Sequence, residues 1–326
     1  MKLPKIYNDK NVKNILTKKV GIIGYGNQGR AQALNLYDSG IDVCIGLQNK
    51  SKSKDLVNQE NLSSMPIKEL VKEFEVISIL IPDQNINRVF ENEISPYLKK
   101  GQSIIFAHGY NIHYKIIKPP TFVDIILVAP SGPGAELRKQ YIKGYGIPGL
   151  FSIYQDYSKE AHEIALSYSK AIGLTRVGLF ETTFKEETET DLFGEQVLLT
   201  GGIPKLIQAA FMTLINDGYS PAVAWLVCYY EIKTIVNLFH SKGFEYMNRS
   251  ISDTAEYGGI TRGDRIINQK TKNEMKIILE EIKSNDFFKE WSQETDNGSK
   301  KLLELRKSEK NMLINKIGEI MLKNIS

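Results

Sequence analysis

The chain has 326 residues and a formal net charge of +4, with 42% hydrophobic and 25% charged residues. This length suffices for two domains, the composition is typical of a globular protein, and so small a net charge does not indicate nucleic acid or a membrane surface as a partner. The N-terminus lacks the apolar core of a signal peptide, and no segment approaches the roughly 18 apolar residues of a membrane span. Cys44 and Cys228 lie far apart in apolar segments, which is typical of buried thiols in a reducing compartment. We therefore expect a cytoplasmic protein that binds neither nucleic acid nor a membrane.

The first half of the chain alternates between strand and helix patterns. Residues 19–26, KVGIIGYG, form a β-rich run that stops at glycine, and residues 27–40 follow with helical spacing. The later strand patterns are DVCIGL, EVISILIP, SIIFAH, FVDIILVAP and GLFSIYQD. Strands that alternate with helices indicate parallel βαβ units. From about Glu181 onward the strand patterns end and long helical segments follow, so we predict an α/β domain over residues 1–182 and an all-helical domain over residues 183–326.

The segment GYGNQG has the G-x-G-x-x-G spacing of a dinucleotide-binding turn, between a predicted strand and a predicted helix. There the glycines would allow a tight turn and a close approach to a pyrophosphate, and the helix N-terminus would offer N–H groups to the anion. A tight turn without a ligand is the alternative. We predict a Rossmann-type doubly wound parallel sheet, with cofactor contacts from the six residues of the motif: Gly24, Tyr25, Gly26, Asn27, Gln28 and Gly29.

The end of the second predicted strand decides the choice of nicotinamide cofactor. An NAD site usually has Asp or Glu there to hold the ribose 2′-OH, whereas in this chain the first acid after the strand is Asp55. Its loop instead offers cations and hydroxyls to a 2′-phosphate, which favours NADPH over NADH. The predicted phosphate-binding residues are Lys50, Ser51, Lys52 and Ser53, and the alternative is an exposed loop whose lysines serve solubility. Pro82 and Gly134, in two further strand-end loops, complete the predicted cofactor site.

The segment FKEETETDLFGEQ, residues 184–196, carries five carboxylates beside an apolar run. Thr183 and Glu186 have the spacing of a capping box, and acids in a first turn suit the helix dipole, which accounts for Glu186 and Glu187. Asp191 and Glu195 are four residues apart among apolar residues, so their carboxylates share a helix face and would repel each other without a cation. Mg²⁺ or Mn²⁺ fits such oxygen ligands, and a solvated helix face is the alternative.

Three more polar features lie in segments that could line a site. Glu231 stands in an otherwise apolar helix, where it could pair with Lys233 or Lys242 or act as a metal ligand if the fold or dimerisation brings it to the other acids. His108 ends a strand at the edge of the sheet where ligands bind, as a proton shuttle or a strand-end hydrogen bonder. The polar segment 249–258 could hold a substrate carboxylate or form a plain interhelical loop.

Six segments, taken in order along the chain, carry a resemblance to one family. They are GYGNQGRAQALNLYDSG, FAHGYNIHY, VAPSGPG, ETTFKEETETDLFGEQ, YEIKTIV and SISDTAEYG. Together they resemble the ketol-acid reductoisomerases of the short-chain class, with family spacing from residue 1 to the C-terminus. The resemblance implies a Rossmann domain and a helical domain that completes its site in a homodimer or a higher oligomer.

The family reaction takes 2-acetolactate or 2-aceto-2-hydroxybutyrate. A two-Mg²⁺ site promotes migration of an alkyl group, and NADPH then reduces the resulting 2-keto acid. By resemblance, Asp191 would bridge both metals and Glu195 would bind the first. Glu231 of the partner subunit would bind the second. Glu231 and His108 would be the catalytic residues. His108 would lie near the cofactor and the reacting oxygens, and Ser252 would bind the substrate carboxylate.

The chain departs from the family pattern at several site positions. Ser131 stands where the family loop has lysine, and Ala135 stands where it has histidine. Val227 replaces a glutamate one turn before Glu231, which puts a second metal ion in doubt. The glycine motif continues NQGRAQ where the family usually has S-Q-G-H-A-H. Loss of one cation and one anion together keeps the local charge nearly balanced, which is the pattern of a repurposed site.

Three functions remain open. The first is an NADPH-dependent reductase of a 2-keto acid or a related carbonyl or imine, with weak or absent alkyl migration, because hydride transfer needs only an oriented cofactor and one polarising group. The second is a complete ketol-acid reductoisomerase that converts 2-acetolactate to 2,3-dihydroxy-3-methylbutanoate in valine and isoleucine biosynthesis. The third is a non-catalytic NADP-binding dimer.

Overall fold

The computed structural model describes residues 4–325, which fall into two compact units. The α/β unit ends at Thr188 and the helical unit begins at Glu189. This division lies inside the helix Phe184–Gly194. The predicted domain boundary, between residues 182 and 183, lies just before that helix and stays a prediction.

Within residues 4–188, nine strands form a single sheet in the order β1-β9-β8-β7-β6-β5-β2-β3-β4. Their bounds are β1 Ile6–Tyr7, β2 Val20–Ile23, β3 Val43–Leu47, β4 Ser63–Pro66, β5 Val76–Ile79, β6 Ser103–Phe106, β7 Asp124–Pro130, β8 Gly149–Gln155 and β9 Leu179–Glu181. The six strands from β4 to β7 in this order are parallel, while β8 runs antiparallel to β7 and β1 runs antiparallel to β9. The predicted doubly wound parallel sheet is therefore confirmed.

Helices cover both faces of this sheet because its central strands are apolar on both sides. All four residues of β2 are buried, and two consecutive residues of this strand, Ile22 and Ile23, belong to different core clusters. The helices of the α/β unit are α1 Asn27–Asp38, α2 Lys54–Gln59, α3 Ile67–Glu73, α4 Asp83–Val89, α5 Tyr110–His113, α6 Gly134–Ile142 and α7 Ala161–Ala171. Residues of α1, α6 and α7 join the cluster of Ile22, and residues of α3 and α4 join that of Ile23.

The strand order reverses at β2, which pairs with β3 on one side and with β5 on the other. Connections leave such a point in opposite directions and open a crevice at the carboxyl ends of the strands, where ligands of doubly wound sheets bind. The loops that follow β2, β3, β5 and β6 therefore border one crevice.

The helical unit contains no strand among its described residues, as predicted. Its helices are α8 Phe184–Gly194, which begins in the α/β unit, α9 Gly202–Asn216, α10 Pro221–Trp225, α11 Ile232–Lys242, α12 Phe244–Arg249, α13 Asp253–Ile266, α14 Gln269–Lys283, α15 Asp286–Asp296, α16 Lys300–Lys310 and α17 Leu313–Ile325. Two π-helical turns, Glu195–Leu199 and Leu226–Tyr230, interrupt the α-helical pattern. One small cluster of buried apolar residues in this unit consists of Phe211, Ala224, Trp225 and Ile314.

Two helical runs of this region are long and apolar enough to cross a membrane, judged by length and composition alone. They are Phe184–Asn216 and Pro221–Lys242, and only 6% and 11% of their most apolar stretches are buried. This differs from the expectation that no segment reaches such a length, because the fold joins shorter apolar stretches into continuous helical runs. A single copy of the chain therefore leaves apolar helix faces exposed.

Candidate active site

The turn between β2 and α1 has the backbone that its glycines predict. Gly24 has a φ of 101°, a left-handed conformation that disfavours other residues. A Cβ at Gly29 would lie 2.4 Å from the carbonyl oxygen of Gly24, so the helix start and the strand end can approach only without it. A Cβ at Gly26 would meet nothing within 4 Å. The turn is thus tight on its inner side and open where a pyrophosphate would approach.

Two motif side chains connect this turn to the loop that contains Ser131. Gln28 Nε2 donates to the carbonyl oxygen of Gly132 at 2.9 Å, and Asn27 Oδ1 accepts from the amide of Ala135 at 3.0 Å. A Cβ at Gly134 would lie 2.1 Å from the carbonyl oxygen of Asn27, so the two segments are in direct contact. The predicted cofactor residues Asn27, Gln28 and Gly134 therefore lie together in the folded chain.

A buried hydrogen-bond chain supports Gln28 from beneath. Gln32 Nε2 donates to Gln28 Oε1 at 3.1 Å, and Gln32 Oε1 accepts from the Tyr168 hydroxyl at 2.7 Å. The Tyr168 hydroxyl also lies 3.2 Å from Ser78 Oγ, and the side chains of Gln32, Tyr168 and Ser78 are fully buried. Gln32, one of the departures from the family motif, thus replaces histidine with a side chain whose polar atoms have partners here.

A cleft of about 310 Å³ opens on one side of the glycine turn. Its polar lining residues are Tyr25, Gln48, Lys50, Ser51, Asn85 and Arg88, together with the backbone of Gly24, Gly26 and Gly46. Pro82 also lines it, whereas Lys52 and Ser53 are not among the described residues that do. Asn85 and Arg88, which the sequence did not single out, lie on α4, and their spacing of three residues is the one signal that could have placed them on a common face.

Tyr25 lies between the first two glycines, but its hydroxyl is directed to Glu60 rather than to the cleft. This hydroxyl donates to Glu60 Oε2 at 2.6 Å, and Arg30 Nε donates to Glu60 Oε1 at 2.9 Å. The pKa of the Tyr25 phenol is raised, mainly by burial and to a smaller extent by the hydrogen bond to Glu60. The hydrogen bond from Arg30 holds the pKa of the Glu60 carboxyl below its usual range. Arg30, another departure from the family motif, therefore holds an ion pair that orients Tyr25.

A second cleft, of about 290 Å³, lies on the other side of the turn. Gly26, Asn27 and Gln28 line it together with His108 at the end of β6. The remaining lining residues come from the end of β5, the start of α4 and the end of β6: Ile79, Leu80, Ile81, Pro82, Asp83, Ile86, Phe106 and Ala107. The glycine turn and His108 thus line one cleft at the carboxyl ends of the strands.

His108 is held by Glu187, an acid that the sequence analysis had explained by the helix dipole. His108 Nδ1 lies 2.9 Å from Glu187 Oε1, and the amide of Gly109 donates to Glu187 Oε2 at 2.8 Å. Glu187 lies in the first turn of α8, as predicted, and it is only 3% exposed, so it also makes a buried contact that the helix-dipole explanation did not include. Thr183 Oγ1 does accept from the amide of Glu186 at 3.0 Å, so the predicted cap is present there.

Glu187 begins a series of acids along one helix face. Asp191 lies one turn further along the same helix, α8. Glu195 follows after another four residues, at the start of the π-helical turn, and both it and Asp191 are exposed. The spacing 187, 191 and 195 is the sequence signal that could have found Glu187. Divalent cations prefer such clustered carboxylate oxygens.

The other predicted site residues lie elsewhere in the helical unit. Glu231 is exposed just after the second π-helical turn, and Val227, at the departure position within that turn, is 46% exposed. Within one copy of residues 4–325, no group of three possible metal ligands includes Glu195 or Glu231. Ser252 is the N-cap of α13, and its hydroxyl accepts from the amide of Ala255 at 3.3 Å. One copy therefore does not bring the predicted metal ligands together.

Comparison with known proteins decides the family. Residues 14–178 match the family model described as acetohydroxy acid isomeroreductase, NADPH-binding domain, and residues 184–326 match ketol-acid reductoisomerase, C-terminal domain. A protein of Methanocaldococcus jannaschii named ketol-acid reductoisomerase (NADP(+)) is 48% identical over 317 residues, which cover 97% of this chain and 96% of the relative. The chain belongs to the ketol-acid reductoisomerase family.

Two further similarities extend over almost the whole chain. A ketol-acid reductoisomerase (NADP(+)) of Clostridioides difficile is 45% identical over 318 residues, which cover 97% of each chain. The solved structure of an NADH-preferring ketol-acid reductoisomerase from an uncultured archaeon superposes with a TM-score of 0.95, at 38% identity and 98% coverage of each chain. These matches confirm the resemblance seen in the sequence motifs and identify the chain as an NADP-dependent oxidoreductase of this family. Because the names of these ketol-acid reductoisomerases include both cofactors, the residues of the cleft in this chain bear on its own preference.

Proposed function

We propose that the protein is an NADPH-dependent reductase of the ketol-acid reductoisomerase family that acts on a 2-keto acid or a related carbonyl or imine, with weak or absent alkyl migration. The observation that carries this proposal is the cleft shared by the glycine turn and His108, whose imidazole is held by buried Glu187. This arrangement joins a dinucleotide-binding turn to a group that can transfer protons, which are the parts a carbonyl reductase requires.

The described residues fit a dinucleotide with a 2′-phosphate. The turn is open beside Gly26, where a Cβ would meet nothing within 4 Å. Among residues 4–325, those that line the adjoining cleft include the cations Lys50 and Arg88 and no Asp or Glu. A cleft without a carboxylate lacks the usual partner for a free ribose 2′-OH and favours a phosphate at that position. Lys52 and Ser53 would then act from outside the lining.

His108 would handle the proton of the reaction. An ionised carboxylate only accepts hydrogen bonds, so Glu187 orients the ring with its proton on Nδ1, and Nε2 becomes the atom that gains or gives a proton. Glu187 also stabilises the protonated ring by its charge, since it lies 2.9 Å away and is almost fully buried. When bound, NADPH supplies a hydride and Mg²⁺ polarises the oxygen that receives the proton.

The acids of α8 would hold one Mg²⁺ ion, whereas a second ion would lack one carboxylate of the family pattern. Asp191 and Glu195 lie on one helix face, and exposed carboxylates four residues apart suit a hard cation. Glu231 would come from a second copy, since no group of metal ligands within one copy includes it. Val227 offers no oxygen where the family has glutamate, so the second ion would lack an anionic ligand.

The departures at Ser131 and Val227 are the reason to separate reduction from migration. Alkyl migration needs an alkoxide and a carbonyl that two cations hold together. Ser131 removes a lysine of the family pattern, and Val227 removes one metal carboxylate. The groups that hydride transfer to a carbonyl requires are still present, namely the glycine turn, His108 and the pair Asp191 and Glu195.

A complete ketol-acid reductoisomerase is the second candidate. It would convert 2-acetolactate to 2,3-dihydroxy-3-methylbutanoate with a site that tolerates Ser131 and Val227. The observation in its favour is the 48% identity over 97% of the chain to a protein that carries this name. A third, non-catalytic function as an NADP-binding dimer would leave the contacts of His108 and Glu187 without a role.

A comparison of two substrates separates the three functions. The protein is incubated with NADPH and Mg²⁺ and with either acetolactate or the already rearranged 3-hydroxy-3-methyl-2-oxobutanoate. Oxidation of NADPH with the rearranged acid alone supports the reductase. Oxidation with both substrates refutes it in favour of the complete enzyme, and NADPH binding without turnover of any small keto acid or imine favours the third function.

We propose that a second copy of this chain covers the exposed apolar faces of the helical unit. The run Phe184–Asn216 carries Asp191 and Glu195, and Pro221–Lys242 carries Glu231; a bilayer accepts such charges only at high cost. A homodimer or a higher oligomer in the cytoplasm would bury these faces and bring Glu231 of one copy to the acids of the other. Light scattering should give at least twice the chain mass of 36.9 kDa. A monomer would contradict this assembly.

Ser252 is proposed to bind the substrate carboxylate from the N-terminus of α13. Its hydroxyl already caps this helix by accepting from Ala255, so the hydroxyl hydrogen is what it can offer to an anion. Ser252→Ala should raise KM for the keto acid more than it lowers kcat, because it removes a binding contact. An unchanged KM would leave Ser252 as a helix cap alone.

A further inference from the structure

The cleft of about 310 Å³ has two cations that come from different elements of the α/β unit. Lys50 lies in the loop after β3, and Arg88 lies in the last turn of α4, which follows β5. These strands flank β2 on opposite sides, and β2 carries the glycine turn. The two cations therefore belong to opposite walls of the crevice. On the wall that α4 forms, the sequence had predicted a cofactor contact from Pro82 but not from Arg88.

Helix α4 turns Arg88 toward the cleft for a simple reason of spacing. Its apolar residues Ile86 and Val89 are buried in the core. Asn85 and Arg88 are three residues apart, so they share the adjacent face, and both line the cleft. Arg88 is exposed at this rim and pays little desolvation there. It differs in this respect from Arg30, whose guanidinium is bonded to Glu60.

The two walls are also joined by a hydrogen bond. Gln48, a lining residue of the first wall, donates from Nε2 to Glu93 Oε1 at 2.9 Å, and Glu93 lies in the π-helical turn that continues α4. This bond holds the loop after β3 to the end of α4. The bond thus connects the wall of Lys50 and Ser51 to the helical segment that carries Arg88.

We infer that Arg88 is a specificity-determining residue, which provides from helix α4 a second cation within the cleft for the 2′-phosphate of the cofactor. The inference rests on the proposed use of NADPH. A phosphate monoester carries up to two negative charges and three acceptor oxygens, and the loop after β3 lines the cleft with only one lysine and one hydroxyl, Lys50 and Ser51, which leaves acceptor oxygens to pair on the other side. A guanidinium on the opposite wall supplies a planar pair of donors for the remaining oxygens. Specificity for the phosphate would thus depend on two elements of the fold.

The test uses adenosine 2′,5′-bisphosphate and 5′-AMP, which differ only in the 2′-phosphate. Calorimetric titration of the full chain should show tighter binding of the bisphosphate. Arg88→Gln should weaken binding of the bisphosphate roughly tenfold to hundredfold, as expected for a lost charge-assisted hydrogen bond, and should leave 5′-AMP within about threefold. The affinity of Arg88→Lys for the bisphosphate should lie between those of the unmutated protein and Arg88→Gln, because lysine keeps the charge without the fork of donors.

Lys68→Gln is the matched control, since Lys68 is an exposed cation next to the lining residue Ile67 and does not itself line the cleft. It should leave both affinities unchanged. If the unmutated protein prefers the bisphosphate and folded Arg88→Gln binds it equally well, the inference about Arg88 is overturned while the proposed use of NADPH stands. Equal losses for both ligands would overturn it in favour of stacking on adenine. No preference in the unmutated protein would overturn the proposed use of NADPH as well.

Discussion

The contact between Glu187 and His108 gives the sharpest prediction, because a single amide substitution should change chemistry more than stability. Glu187→Gln keeps the side-chain volume and one carbonyl oxygen for the amide of Gly109, which now donates to Glu187 Oε2 at 2.8 Å. The new amide nitrogen would face His108 Nδ1, which lies 2.9 Å from Oε1. Two donors cannot bond each other, so the neutral ring should move its proton from Nδ1 to Nε2.

The expected magnitudes follow from these contacts. Glu187→Gln exchanges one charge-assisted bond for a neutral one, which should lower the free energy of unfolding by about 1 kcal/mol. Glu187→Ala leaves the buried amide of Gly109 and the His108 ring without their acceptor, at roughly 1–3 kcal/mol for each unsatisfied group. In both variants the charge that supports protonated His108 is absent, and kcat for the rearranged keto acid should fall about a hundredfold or more.

Two measurements check this prediction. Urea unfolding gives the change in stability, and ¹⁵N-resolved spectra of the imidazoles report which ring nitrogen carries the proton. The chain has four histidines, so the spectrum of His108→Asn identifies the signals in question. Glu186→Gln is the matched control, because this substitution makes the same change of charge at the neighbouring position. Glu186 is exposed, and its carboxylate accepts a hydrogen bond from the hydroxyl of Thr182.

The reasoning would be refuted by a Glu187→Gln variant that is folded, keeps the proton on Nδ1 and retains kcat within about threefold of the unmutated protein. Glu187 would then be a structural partner of Gly109, and His108 would need no oriented proton. Equal losses in Glu186→Gln would point instead to the overall charge of helix α8.

Three other substitutions test further parts of the structure. Gly109→Ala should lower the free energy of unfolding by about 2 kcal/mol, because a Cβ there would lie 2.5 Å from Thr188 Oγ1, whereas Gly263→Ala, with nothing within 4 Å, should be neutral or stabilising in thermal unfolding. Glu60→Gln should lower the free energy of unfolding by about 1 kcal/mol at pH 7, because the lowered pKa of Glu60 stabilises the fold above the usual value of 4.5. That contribution disappears as the pH falls through the lower folded value, so the difference in urea stability between the unmutated protein and Glu60→Gln should shrink as the pH is lowered below 4.5. Ser131→Lys combined with Val227→Glu should raise turnover of acetolactate relative to the rearranged acid, and an unchanged ratio in the folded double variant would undermine the account of the metal site.

The strands, the glycine turn and the division into α/β and helical parts could be predicted because each depends on local pattern. Apolar runs such as residues 20–23 are buried on both faces, and the glycine spacing lies between a strand and a helix in the structure as in the prediction. Family membership was also accessible from ordered motifs. Glu187 was missed because an acid in a first helical turn has a sufficient local explanation, and only its contact with His108, 79 residues away in sequence, shows that it is buried.

What the sequence determined by itself is therefore the set of elements, the dinucleotide turn and the identity of the acids along helix α8. Tertiary structure decided which side chains meet: Glu187 with His108, Gln28 with the loop after β7, and Arg88 with the cleft that holds Lys50. Local pattern is read within a few residues, where backbone geometry sets the spacing of side chains. Contacts between elements depend instead on how strands order in the sheet, and that order is set by packing of the whole unit.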